Sequence, residues 1–144
     1  MIDISNKEPV TRIAKASGKI TLRNTTIEKI KNKTLKKGDV LTIAKIAAIN
    51  AVKKVPDLIP LCHPIPITNV KVDFNIEDDT TIKVSCLVKS VAQTGVEMEA
   101  LTGVTVALLN ILDMIKMYEK NEEGQYPFTV IYDIKVDEKI KEYK

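Results

Sequence analysis

The hydrophobic and polar positions change period several times along this chain, and each change marks an element. From Thr68 the period is two: Val70, Val72, Phe74 and Ile76 alternate with Lys71, Asp73 and Asn75, as in a strand with one buried face. Glu77-Asp78-Asp79-Thr80 reads as a turn, after which Ile82, Val84, Cys86 and Val88 resume the alternation. The two runs predict an antiparallel hairpin. Upstream, "VLTIAKIAAINAVKKV" has Val40, Ile43, Ala44, Ala47, Ala51 and Val55 at helical spacing, with Asp39 as N-cap and Pro56 as terminator. "TTIEKIKN" carries a Thr25-x-x-Glu28 capping signal for a shorter helix. Gln93-Thr94-Gly95 breaks the second strand. From Val96 to about Glu119 an apolar stripe of Val96, Ala100, Val104, Ala107, Leu108, Ile111 and Ile115 predicts a long helix. A short strand at Lys19 to Leu22 and a last one in "FTVIYDIKV", after a loop at Gly124 and Pro127, complete the set. The order βαββαβ, with room for a second early helix, is the split-βαβ pattern of a ferredoxin-like α+β fold: an antiparallel sheet with helices packed on one face.

Composition narrows the function classes. A chain of 144 residues, 44% hydrophobic and 28% charged, suits one globular domain spanning 1–144. A net charge of +3 with only two arginines, Arg12 and Arg23, argues against a nucleic-acid reader. Such a module would also stack bases on sheet aromatics, and no such array stands in this chain. Two cysteines suit a reducing compartment. Met1-Ile2-Asp3-Ile4-Ser5 does not resemble a signal peptide, and Thr, Asn and Asp interrupt the longest apolar helix, so no membrane span is expected. The expected location is the cytoplasm.

Three stretches carry candidate chemistry. "LIPLCHPIPIT" holds the only histidine, His63, between Pro60 and Pro64. It is either a core histidine satisfied by a backbone carbonyl or a ligand whose direction the prolines fix. An extended backbone there would turn Cys62 and His63 apart. Cys62 and Cys86 read as small buried hydrophobes, and nothing has zinc-ligand spacing. In "GVEMEALTG", Glu97 and Glu99 open the long helix, where carboxylates favour the positive dipole end; apolar neighbours could also draw one toward a pocket. In "ILDMIKMYE", Asp113 sits near the negative end of that helix among Ile111, Leu112, Met114 and Ile115, with Lys116 three residues on. Apolar residues on nearly every side leave it little solvated face. It is either half of a local ion pair or a functional carboxylate. Lys37, in "KKGDV", stands at a glycine turn before a helix N-terminus that itself attracts anions. Glu99 and Asp113 lie about 40° apart around one helix but about 21 Å along it. They can share a small-molecule site only if two copies pack antiparallel, which predicts an isologous dimer with shared sites.

Together, "DLIPLCHPIPIT", "TGVEMEALTGV", "LDMIK" and "KKGDV" resemble the molybdenum cofactor biosynthesis protein C (MoaC) family, the cyclic pyranopterin monophosphate synthases. The resemblance runs from "MIDISNKEPVTRIA" through Lys116. It implies a ferredoxin-like domain assembled as a dimer-based hexamer with sites at the dimer interfaces. It also implies a cyclised GTP derivative, made by a partner radical enzyme, as substrate. No cofactor is required, though magnesium could assist with the phosphates. By motif, Asp113, Lys116 and Lys37 match the family's catalytic residues. Leu61, Cys62 and His63, with Met98 and Glu99, match its substrate-binding residues, and Glu97 and Arg12 match positions near the pocket. One departure is the tail: many relatives end in a glycine-rich segment bearing lysines, whereas this chain reads "EKNEEGQYPFTVIYDIKVDEKIKEYK". A non-catalytic nucleotide-binding regulatory domain on the same fold is the competing reading.

Overall fold

A computed structural model describes residues 1–143. The elements run β1 (Val10–Thr21), α1 (Asn24–Lys31), α2 (Val40–Val52), α3 (Val55–Leu58), β2 (Ile67–Asp78), β3 (Thr81–Ala92), α4 (Glu97–Glu119) and β4 (Val130–Glu142). The strands form one antiparallel sheet in the order β2-β3-β1-β4. This is the expected α+β, ferredoxin-like arrangement.

Register explains which side of the sheet the helices cover. Ala14, Ala16 and Ile20 of β1 stand opposite Val88, Cys86 and Ile82 of β3, and all six belong to one buried cluster with Ala44 and Ala48 of α2 and Val104, Leu108, Ile111 and Ile115 of α4. The other face is largely polar, with ion pairs such as Lys15–Glu138 and Lys19–Glu77.

Several boundaries differ from the sequence reading, each for a physical reason. β1 is twelve residues long and not a short strand at Lys19–Leu22. Its central core-facing positions, Ala14, Ala16 and Gly18, are small, so the middle of the alternation lacks the large β-formers that signal a strand. The Thr25/Glu28 capping pair is not used: α1 begins at Asn24, its N-cap is Arg23, and no local side chain caps it. The cap comes instead from the end of α4. Glu119, fully buried, accepts from the Arg23 N–H at 3.1 Å, from the Thr26 hydroxyl, and from the Thr129 hydroxyl at 2.6 Å. Asp39 does cap α2, accepting from the Thr42 N–H at 3.3 Å. Pro56 does not end α2, which stops at Val52; it sits in the first turn of α3, where its missing N–H costs nothing.

β4 extends to Glu142. Lys15 pairs with Glu138 and Ala16 with Val136, leaving Asp137 as an extra residue. This bulge resets the alternation, so Lys139 stands opposite Ala14 on the helix-bearing face. Contrary to the sequence reading, α4 is long and apolar enough to cross a membrane, yet about half of the apolar stretch is buried inside the fold. That burial accounts for its composition.

Candidate functional site

The site residues fall into two groups, one at each end of α4. At the head, the turn after α3 and the first turn of α4 meet around a cavity of about 730 Å³. Leu61, Cys62 and His63 line it from one side, and Glu97, Met98 and Glu99 from the other. Sequence reasoning had turned Cys62 and His63 apart, but both reach the cavity. The backbone at Cys62 is a turn and not extended, its N–H donating to the Ile59 carbonyl at 3.0 Å, so strand alternation does not apply. Arg12, expected near the pocket, does not line it. The guanidinium is buried and donates to the Ala92 and Gln93 carbonyls, each at 3.3 Å, pinning the β3–α4 connection from behind.

Electrostatics at the head are uneven. Burial pushes the carboxyl of Glu99, only 3% exposed, above the ordinary glutamate range, and the nearby Glu97 charge adds to this. Glu97 also feels burial, but the Lys139 hydrogen bond, a backbone N–H and the charges of Lys139 and Arg12 outweigh it and hold it below the ordinary value. Lys139 Nζ lies 2.6 Å from Glu97 Oε1. Gly95 makes room for this: a Cβ there would stand 2.0 Å from Glu97 Oε2. Burial and the Glu99 charge raise the Cys62 thiol.

His63 is half-buried at the cavity wall and is satisfied by a backbone carbonyl. Its Nε2 lies 2.8 Å from the Ile2 carbonyl. A carbonyl only accepts, so Nε2 carries the hydrogen, and a neutral ring keeps Nδ1 as an acceptor. The N-terminal segment was not foreseen as part of the site, yet Met1, Ile2, Ile4 and Lys7 line the cavity. Only the apolar spacing of Ile2 and Ile4 hinted at it. Lys139 was missed as well, because the bulge that turns it inward has no sequence signal.

At the tail, Asp113 stands between two ammonium groups. Lys116 Nζ lies 2.9 Å from Oδ1, while Lys37 Nζ lies 3.3 Å from Oδ2 and 3.0 Å from the Asp113 carbonyl oxygen. These hydrogen bonds, Lys116 first and Lys37 second, hold the carboxyl below the ordinary aspartate range, and Asp113 in turn raises Lys116. Asp113 does not sit in an apolar surround. Its side chain is 59% exposed, because Ile111, Met114 and Ile115 point into the core while Leu109, Asp113 and Met117 form an outward stripe. That stripe exposes Leu109 and Met117, and Ile43 and Ile46 of α2 are exposed as well.

Fold and sites define a ferredoxin-like α+β protein with an acid-lined cavity and a separate lysine–aspartate–lysine cluster. Residues 1–141 match the MoaC family, and the chain belongs to it. Among similar proteins, one from Archaeoglobus fulgidus is 60% identical over 98% of this chain and 90% of its own length. One from Methanococcoides burtonii is 58% identical over 99% and 89%. One from Sulfurisphaera tokodaii is 56% identical over 99% and 94%. Each is named "Probable cyclic pyranopterin monophosphate synthase".

Proposed function

We propose that this chain is a cyclic pyranopterin monophosphate synthase, a phosphorus–oxygen lyase of molybdenum cofactor biosynthesis in the cytoplasm. It takes 3′,8-cyclo-7,8-dihydroguanosine 5′-triphosphate from a GTP-cyclising radical enzyme and releases cyclic pyranopterin monophosphate and pyrophosphate. The observation that carries the reading is the cluster of Asp113, Lys116 and Lys37, an ionised acid between two cations.

The reaction asks for these parts. A hydroxyl of the substrate attacks the α-phosphorus, a new P–O bond forms, and the bond to the pyrophosphate oxygen breaks. Asp113, ionised at neutral pH, is suited to take up the proton released and return it during ring rearrangement. Lys116 and Lys37 offset the charge that builds on the leaving pyrophosphate. His63, braced by prolines and by the Ile2 carbonyl, meets the substrate in a fixed direction, which lowers the ordering cost of binding. The reaction needs no resident cofactor, and magnesium would enter as the counter-ion of the triphosphate.

One helix cannot supply both groups to one substrate, since Glu99 and Asp113 lie about 21 Å apart along it. The proposed assembly is therefore a dimer-based hexamer in which the tail of one α4 faces the cavity of its twin. The exposed Leu109, Met117, Ile43 and Ile46 support a buried interface there. The test is incubation of the purified protein with the cyclised GTP derivative. Pyrophosphate and pterin are expected from the parent chain and neither from Asp113→Ala. Binding of the derivative by the parent chain without turnover would favour the regulatory-domain reading, and retained turnover in Asp113→Asn would move the acid–base role to another residue.

A further inference from the structure

We propose that Tyr118 is a positioning residue for Lys37; this rests on the role given to Lys37 above. A lysine amine on a four-carbon stem is directed only as well as the backbone beneath it is held. Lys37 rides on the connection between α1 and α2, which bends sharply at Lys33 (φ 55°) and Gly38 (φ 103°). Its anchors can be named. The Thr34 N–H donates to the Lys29 carbonyl at 3.0 Å, Leu35 is buried in the core, and Asp39 caps α2. Between Leu35 and Asp39 the backbone has one side-chain anchor among the described residues: the Lys36 N–H donates to Tyr118 Oη at 2.9 Å.

The anchor is well placed for this task. Tyr118 stands on α4 five residues after Asp113, so the same rigid helix holds the backbone at Lys36 and receives the amine of Lys37. Its ring packs against the core, and Lys29 Nζ sits 5.3 Å from the ring centroid. A phenylalanine keeps the packing and the cation–π contact and removes only the acceptor oxygen.

The experiment is a double-mutant cycle on the full chain, with pyrophosphate release from the cyclised GTP derivative as the rate and hydrogen exchange of the Lys36 amide as a structural readout. Tyr118→Phe is expected to lower kcat about twofold to tenfold with KM unchanged, and to speed Lys36 exchange. In a Lys37→Ala background, the same change is expected to lower kcat no further. An equal fall in both backgrounds would mean that Tyr118 only stabilises the fold, and would overturn the proposal. So would an unchanged kcat in Tyr118→Phe while Lys37→Ala is impaired, leaving the assigned function intact. Full turnover in Lys37→Ala would instead overturn the role of Lys37 itself, and this inference with it.

Discussion

The two ends of α4 carry acids of nearly the same intrinsic strength in opposite settings. At the head, Glu99 is buried among apolar groups beside another carboxylate, and its pKa rises. At the tail, Asp113 is solvated and held by two lysines, and its pKa falls. Environment and not residue type sets the direction of each shift, upward at the head and downward at the tail. The head is a preformed cavity; the tail is an open, solvated cluster.

The largest expected effect breaks the comparison at the tail. Lys116→Ala should lower kcat by about 100-fold or more, with a much smaller change in KM. Asp113 would lose the strongest group holding its carboxyl down, so the acid limb of the pH–rate profile should move to higher pH. A rise in KM with kcat unchanged would place Lys116 in ground-state binding instead.

Next comes the question whether the two ends meet across subunits. Asp113→Ala and Glu99→Ala chains should each be inactive alone. Unfolded together in equal amounts and refolded, they should recover about a quarter of parental activity, since half the dimers are mixed and each mixed dimer keeps one intact site. No recovery would confine each site to a single chain.

A smaller effect concerns what holds the tail. Glu119→Ala leaves the Arg23 N–H and the hydroxyls of Thr26 and Thr129 without their acceptor. The cost should be about 2–3 kcal/mol, read as a fall in Tm of roughly 4–12 °C.

The smallest sharpens the head. The folded pKa of Glu99 lies above its unfolded value, so its contribution to stability is full below the unfolded pKa and is lost as pH rises through the folded one. Glu99→Gln should therefore melt above the parent at neutral pH, and the difference should shrink as pH falls into the ordinary carboxylate range. A difference independent of pH would show that Glu99 is not titrating in the fold.

Much of the fold and of the candidate site is legible in the sequence. The alternation of β2 and β3 and the stripe of α4 follow from burial on one face, and local spacing reports that directly. The resemblance of "LCH", "GVEME", "LDMIK" and "KKGDV" pointed to Leu61, Cys62, His63, Glu97, Met98 and Glu99 of the cavity lining and to the three residues of the tail cluster. What stayed hidden were the strand of small residues at β1, the cap that Glu119 supplies from ninety-six residues away, the N-terminal cover on His63, the inward turn of Lys139 and the hydroxyl of Tyr118 under Lys36.

The sequence by itself determined the β2–β3 hairpin, the long helix α4, the fold class and the family, because periodicity and motif are properties of neighbours along the chain. Only the tertiary structure decided that Asp113 faces solvent, that Cys62 and His63 share one cavity, and that Lys139 reaches Glu97. Each of those depends on a bulge, a turn or a partner distant in sequence, where the balance between burial and hydrogen bonding is struck in space.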